Sequence, residues 1–207
     1  CSNQCVVCRS IQNYPPAATP SAWPIASKPW SRLHVDFAGP FHDKIFFIVV
    51  DSFSKWIDTA PVASTSTESA IHRLQILFAT HGLPDIIVSD NATAFTSEHF
   101  HRFCAKNGIK NITSAPGHPS TNGQAERAVQ TFKNALNKAI VKEKLIPSLA
   151  RFLFQQHSTP NSVTEVSPAE LLMKRKLKSH LDCLKPDVQR QIQVSQAKIL
   201  GKETKRL

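Results

Sequence analysis

Three of the chain's fifteen acidic residues stand where a scaffold can aim them at one point. Asp36 lies near the end of a predicted strand, Asp90 where another strand gives way to its loop, and Glu126 in the first turns of a long predicted helix. Two or three convergent carboxylates hold divalent cations, and a centre of that kind activates one oxygen and stabilises the departing one in phosphoryl transfer without a covalent intermediate. The spacing of Asp90 and Glu126 is weak evidence by itself. A chain with eight Asp and seven Glu produces such pairs by chance, so the surroundings must carry the inference.

Other residues compete for the same role. Asp51 and Asp85 also sit at strand ends, but beside turn residues, where solvated carboxylates are common. His34 is two residues before Asp36 and on a strand faces the same side, either towards a ligand or packed and hydrogen-bonded. Cys104 falls on the apolar stripe of its helix and reads as a buried thiol. Cys5 and Cys8 have zinc-knuckle spacing, yet four ligands are needed and only Cys1 lies nearby. Lys133 follows Glu126 by seven residues and shares its helix face, where a cation can steer a phosphate or remain simply solvated.

The elements that position these residues are legible in the pattern. Segments 30–37, 44–51 and 55–62 are β-rich and separated by Gly39-Pro40 and by Ser52-Phe53-Ser54, which predicts an antiparallel meander. A helix is predicted over 66–81, opened by Thr65 with Glu68 as a capping box and closed by Gly82 and Pro84. A strand at 85–89, a helix at 96–107 with Phe100, Phe103 and Cys104 inward, and a strand at 109–113 follow. Hairpin strands followed by alternating helices and strands describe a mixed α/β sheet. The longest predicted helix, 121–142, turns Ala125, Val129, Phe132, Leu136 and Ile140 inward and sets Asn122, Glu126, Gln130 and Lys133 beside them. Pro147 opens a shorter helix, and Ser167-Pro168-Ala169-Glu170 is a second capping box.

With 207 residues and 41% hydrophobic content the chain can build one real core, which excludes wholesale disorder. No apolar run approaches the roughly 18 residues that span a bilayer, so no membrane partner is expected. A first residue that is Cys, with no signal-like segment after it, suggests a piece of something longer, and five cysteines without a disulfide framework suggest a reducing compartment. Net charge is +10, and residues 171–207 hold ten bases against three acids. A nearly neutral domain with a basic extension points to a polyanion, most often nucleic acid. Beyond Pro186 no core-forming pattern is seen.

Six ordered blocks resemble the integrase catalytic core of retroviruses and gypsy-like long-terminal-repeat retrotransposons. They are Trp30-Ser-Arg-Leu-His-Val-Asp36-Phe-Ala-Gly-Pro40, Phe47-Ile-Val-Val-Asp51-Ser-Phe-Ser-Lys-Trp56, Pro84-Asp-Ile-Ile-Val-Ser-Asp90-Asn, Pro116-Gly-His-Pro-Ser-Thr-Asn-Gly-Gln-Ala-Glu126-Arg, Ser158-Thr-Pro and Ser167-Pro-Ala-Glu-Leu-Leu172. The resemblance spans about residues 5 to 186. It implies a ribonuclease H-like mixed five-stranded sheet with flanking helices, and it matches Asp36, Asp90 and Glu126 one by one to a catalytic triad for two Mg²⁺ or Mn²⁺ ions. It implies 3′-end cleavage and strand transfer on DNA, the element's ends and a target being the substrates, by a homo-oligomer working in the nucleus after passage through the cytoplasm. His118, Asn122, Gln124 and Lys133 become expected DNA contacts, with ordinary loop, cap and surface roles as their alternatives. Cys5 and Cys8 resemble the closing pair of an N-terminal His-His-Cys-Cys zinc domain, so Zn²⁺ is expected only if histidines lie upstream. The implied organisation is a zinc-domain remnant and Pro-rich linker at 1–29, the catalytic core at 30–160, and a basic helical extension at 161–207.

One departure stands near the second carboxylate: Ala92 replaces the glycine usual in the family after Ser-Asp-Asn. If that position needs a positive φ, the methyl group strains the loop and favours a different reading, a host-adopted integrase remnant that binds DNA or protein without catalysis. A ribonuclease H-like nuclease that does not integrate is a third reading.

Overall fold

The computed structural model describes residues 26–41, 43–113, 130–134, 145–162 and 164–184, with positions 192 and 196. Its sheet has five strands in the order β3-β2-β1-β4-β5. Strands β1 (Arg32–Phe41), β2 (Lys44–Asp51) and β3 (Ile57–Val62) form the expected antiparallel meander. Strand β4 (Ile86–Ser89) pairs parallel with β1, and β5 (Lys110–Thr113) pairs parallel with β4. The crossovers are α1 (Thr67–His81), then α2 (Thr93–Thr96) and α3 (Glu98–Lys106). After a helical segment at 130–134 come α4 (Leu145–Ser158), α5 (Pro168–Met173) and α6 (His180–Leu184).

Because strand side chains alternate faces, β1 divides its residues between two cores. Leu33, Val35 and Phe37 join Phe47, Val49 and Ile87 under α1, α2 and α3, where Leu74, Phe95, Phe100 and Cys104 are buried. His34, Asp36 and Ala38 therefore face the other way. There Ala38, Phe46, Ile48, Val50 and Ile57 pack against Phe132 and against Leu149 of α4. Each fully buried Phe contributes about 2 to 3 kcal/mol by leaving water, and Phe132 anchors its helical segment on the sheet. At the entrance to β1, Trp30 is buried, packs at a tilt against His81 with ring centroids 4.3 Å apart and donates from Nε1 to the Gly82 carbonyl at 2.9 Å.

Several boundaries differ from the sequence expectation, each for a local reason. Gly39-Pro40 does not end β1; the strand runs on to Phe41 through an irregularity in its pairing with β2. Gly39 makes this possible, since its φ is 122° and a Cβ there would stand 2.8 Å from the Lys44 carbonyl oxygen. The helix expected at 96–107 is two helices, because Ser97 is extended and its Oγ accepts the Phe100 N–H, starting α3 anew. Ser66, not Thr65, caps α1, accepting the Ser69 N–H at 3.2 Å. Strand β3 starts two residues late because Lys55 holds a φ of 64° in the preceding turn. Helix α4 starts at Leu145, with Pro147 in a first turn whose N–H groups need no helical partner.

Asp51 corrects a further expectation. It is not a solvated carboxylate but fully buried, and it closes the β2–β3 turn by accepting from Phe53 N, Ser54 N and Ser54 Oγ at 3.3, 3.0 and 2.6 Å. Its oxygens are committed to those donors and unavailable to a cation. Asp85 is exposed and paired with Lys28 at 3.1 Å.

His34 is 7% exposed, and its Nδ1 has no hydrogen-bond partner. Burial first, and then the charges of Arg32 and Lys55, push its pKa down to about 4. A folded-state value below the unfolded one means stability present above the unfolded pKa near 6.5 and lost as pH falls towards 4, worth on the order of 3 kcal/mol if fully expressed. The variant His34→Gln should therefore show a flatter melting temperature between pH 7 and 4.5 than the parent chain. Parallel profiles for the two proteins would remove His34 as the source of acid sensitivity.

Candidate active site

The parallel register of β1 and β4 does what the sequence spacing could not show. Arg32, Leu33 and His34 stand opposite Ile86, Ile87 and Val88, so continuing the register by two residues sets Asp36 opposite Asp90. Neighbouring strands are about 4.8 Å apart. Asp90 has just left the end of β4, is exposed, and accepts the Ala92 N–H on Oδ1 at 3.0 Å, a local turn that fixes its carboxylate at the strand's carboxyl edge. Asp36 is more enclosed, with 27% of its side chain exposed.

A third group meets them. Lys133 donates from Nζ to Asp36 Oδ2 at 3.0 Å, with 31% of its side chain exposed. It reaches this position because Phe132 anchors segment 130–134 on the second face of the sheet, the face to which Asp36 points. Burial raises the Asp36 pKa above the usual carboxylate value; the Lys133 bond opposes this, and the Asp90 charge adds to it. Two like charges share a half-desolvated site with one ammonium group, a balance that favours acceptance of further positive charge.

Ala92 has φ −60° and ψ 144°, ordinary extended backbone open to any residue, so its methyl group imposes no strain. It caps α2 and packs partly against the first core. The sequence argument for a crippled loop at this position loses its basis.

Glu126, His118, Asn122 and Gln124 lie outside the described residues, as do Cys5 and Cys8. The structure thus brings Asp36, Asp90 and Lys133 together. Among the described residues no group of three or more Asp, Glu, His or Cys forms a metal cluster. Sequence reasoning gave Lys133 a face but not its partner; the alternation 34, 36, 38 on β1 set beside the inward position of Phe132 was the available signal. Cys104 is a buried thiol as expected, and burial pushes its pKa up to about 11. No described helix is long and apolar enough to cross a membrane.

The integrase core domain family matches residues 26–119, the stretch holding both described carboxylates. An uncharacterized protein of Caenorhabditis elegans is 35% identical over 187 residues, 88% of this chain and 14% of its own length. The Gag-Pro-Pol polyprotein of squirrel monkey retrovirus is 36% identical over 108 residues, 52% of this chain and 6% of its own length. The chain thus spans about a seventh or less of these two relatives. Among solved structures, the HTLV-2 integrase catalytic core domain in complex with magnesium, in a trimeric form, superposes with a TM-score of 0.59 at 20% identity, covering 70% of this chain and 98% of that one. At that identity the likeness speaks for the fold, which is ribonuclease H-like. Sequence match, strand order and the placement of Asp36 and Asp90 agree: over residues 26–119 the chain carries the integrase core domain found in retroviral and retrotransposon polyproteins.

Proposed function

We propose that this chain is the catalytic core of a polynucleotidyl transferase that cuts near the 3′ end of its element's DNA and transfers the exposed 3′ hydroxyl to a target phosphodiester. The observation that carries the reading is the Asp36–Asp90 pair on adjacent parallel strands, with Lys133 drawn onto Asp36. Asp36, Asp90 and Glu126 would hold Mg²⁺ or Mn²⁺, and the first two fit such ions: both offer hard oxygen donors, and burial, with the Asp90 charge adding to it, raises the Asp36 pKa. When bound, these ions supply Lewis-acid polarisation of a phosphate oxygen and neutralise charge on the departing one.

The chain's own residues supply the rest. Asp36 is paired with Ile48 of β2 and lies two residues past the last β1–β4 pair, so the sheet fixes its backbone and it orients whatever it ligates without rearrangement. Lys133 keeps the ammonium charge beside the carboxylates and attracts the phosphodiester. His118, Asn122 and Gln124 are proposed DNA contacts preceding Glu126. A homo-oligomer acting on DNA in the nucleus completes the reading; the trimeric HTLV-2 core supports assembly by analogy. Cys5 and Cys8 would bind Zn²⁺ only together with upstream histidines.

The decisive variant is Asp36→Asn, which keeps shape but removes the charge that holds a cation. It should abolish both cleavage of labelled duplex ends and joined products on a gel while leaving the circular dichroism spectrum unchanged. Retention of more than about 5% of the activity would take Asp36 out of the centre.

Lys133→Gln should lower the melting temperature in EDTA, because Asp36 loses its counter-charge at a cost on the order of 1 kcal/mol. Added Mn²⁺ should then stabilise the variant more than the parent, since the ion no longer competes with an ammonium group. An equal Mn²⁺-induced shift in both proteins would show that Lys133 and the cation do not share Asp36.

Ala92→Gly should leave the initial rates under Mg²⁺ and Mn²⁺ within about twofold of the parent and lower stability by about 0.5 to 1 kcal/mol, the entropic cost of glycine at an ordinary φ. A large gain in rate would restore the case for an impaired loop.

A further inference from the structure

We infer that the basic segment 174–178 and the cleft beside it form a second surface for duplex DNA, which grips the sugar-phosphate backbone away from the carboxylate centre. The choice of DNA as the polyanion rests on the function proposed above; the surface itself rests on separate observations.

Lys174, Arg175, Lys176 and Lys178 place four cations within five residues, and all four are exposed. Among the described residues, Lys174, Arg175 and Lys178 make no ion pair, and Lys176 reaches Glu170 only at 3.7 Å with 82% of its side chain exposed. So open a pair contributes little and leaves the charge free for a ligand. The base beneath is firm. Helix α5 is pinned by fully buried Ala169 and by Leu172 against the first core, and it is capped by Ser167, whose Oγ accepts the Glu170 N–H. Lys174 ends it in the left-handed region, φ 58°, with its N–H on the Glu170 carbonyl at 3.1 Å, which turns the cationic run off the helix.

Beside this run lies an open cleft of about 660 Å³, walled by Ser158 at the end of α4, Pro160 after it, and by Lys176 and Lys178. Two acids also line it, Glu170 and Asp182. Both are engaged by serines: Ser167 Oγ donates to Glu170 Oε2 at 2.6 Å, and Ser179 N and Oγ donate to Asp182 Oδ2 at 2.9 and 2.6 Å. Four cations against two committed carboxylates leave the surface positive. Among the described residues no aromatic side chain lines the cleft, which offers no stacking platform of the kind that captures single-stranded bases. A regular row of phosphates, such as duplex DNA presents, is the ligand such cations suit.

The surface also stands apart from Asp36. Helix α4 is tied to the β3 side of the sheet, with Gln156 donating to the Lys55 carbonyl at 2.7 Å and His157 Nε2 2.8 Å from the Ile57 carbonyl. Asp36 belongs to the central strand, two strands further in.

The test compares the full chain with the triple variant Arg175→Gln, Lys176→Gln, Lys178→Gln in binding a fluorescent duplex of about 30 base pairs, in EDTA, from about 50 to 200 mM salt. The triple variant should melt at the parent temperature, bind about tenfold more weakly at the lowest salt, and show a log K against log salt slope shallower by about 2 to 3 for any duplex sequence. An unchanged slope overturns the proposal and makes these cations merely solvated. Loss of binding to polyglutamate with duplex affinity intact overturns it too, in favour of an acidic protein partner. Cleavage of labelled duplex ends by the parent chain with Mn²⁺ is the separate readout: failure of the carboxylate reading appears there, and failure of this one in the salt slope, which is measured in EDTA.

Discussion

Everything around the candidate centre follows from the electrostatic tension between Asp36 and Asp90. The parallel register of β1 with β4, continued by two residues, sets Asp36 in the middle of β1 opposite Asp90 just past the end of β4, where the sheet leaves Asp36 only partly in contact with water. Two carboxylates so placed repel one another, and the more enclosed one has its protonated form favoured. A protein gains nothing in stability from such a pair unless positive charge arrives. Lys133 provides it from a segment almost a hundred residues later in the chain. That contact in turn depends on Phe132, fully buried in the second core and packed edge-on against Phe152 of α4 at 5.7 Å.

The opposite face of the sheet holds the same centre by packing alone. Phe37 follows Asp36 and lies between Phe47 and Phe95, at centroid distances of 5.2 and 5.3 Å. Phe95 sits in α2, five residues past Asp90, and Phe100 meets it from α3 at 5.5 Å. The loop carrying the second carboxylate is thus bounded by β4 before it and a buried aromatic after it. Thr67 of α1 ties in the same corner, its Oγ1 2.9 Å from both the Ala94 carbonyl and the Ser97 hydroxyl. Ala92 is tolerated here because the backbone at that position is already extended, so the corner needs no glycine.

Buried polar groups elsewhere divide by whether they found partners. Asp51 accepts three hydrogen bonds and so stabilises a turn despite complete burial. His34 has an unpartnered Nδ1, and burial first, then the charges of Arg32 and Lys55, keep it neutral beside the carboxylate centre. A charged imidazole there would add a fixed positive charge two residues from Asp36, and burial opposes it.

The sequence alone determined a good deal: the periodicities of 2 and 3.6, the breaks at Gly, Pro and Ser, and six ordered motif blocks, because these are local properties of the chain. They gave the meander, the helices under the sheet with Phe100 and Cys104 inward, and the Ser167–Glu170 capping box, which the structure shows with hydrogen bonds at 3.3 and 2.6 Å. They also singled out Asp36 and Asp90 through the motif blocks. Spacing could not show that these two face each other, because pairing register is set between strands over fifty residues apart. Nor could it show that Asp51 is a buried turn anchor rather than a solvated acid, that Ser97 divides one helix into two, or that Lys133 belongs to Asp36. Those depend on which side chains meet across the sheet and how much water remains there, and only the tertiary structure decides that.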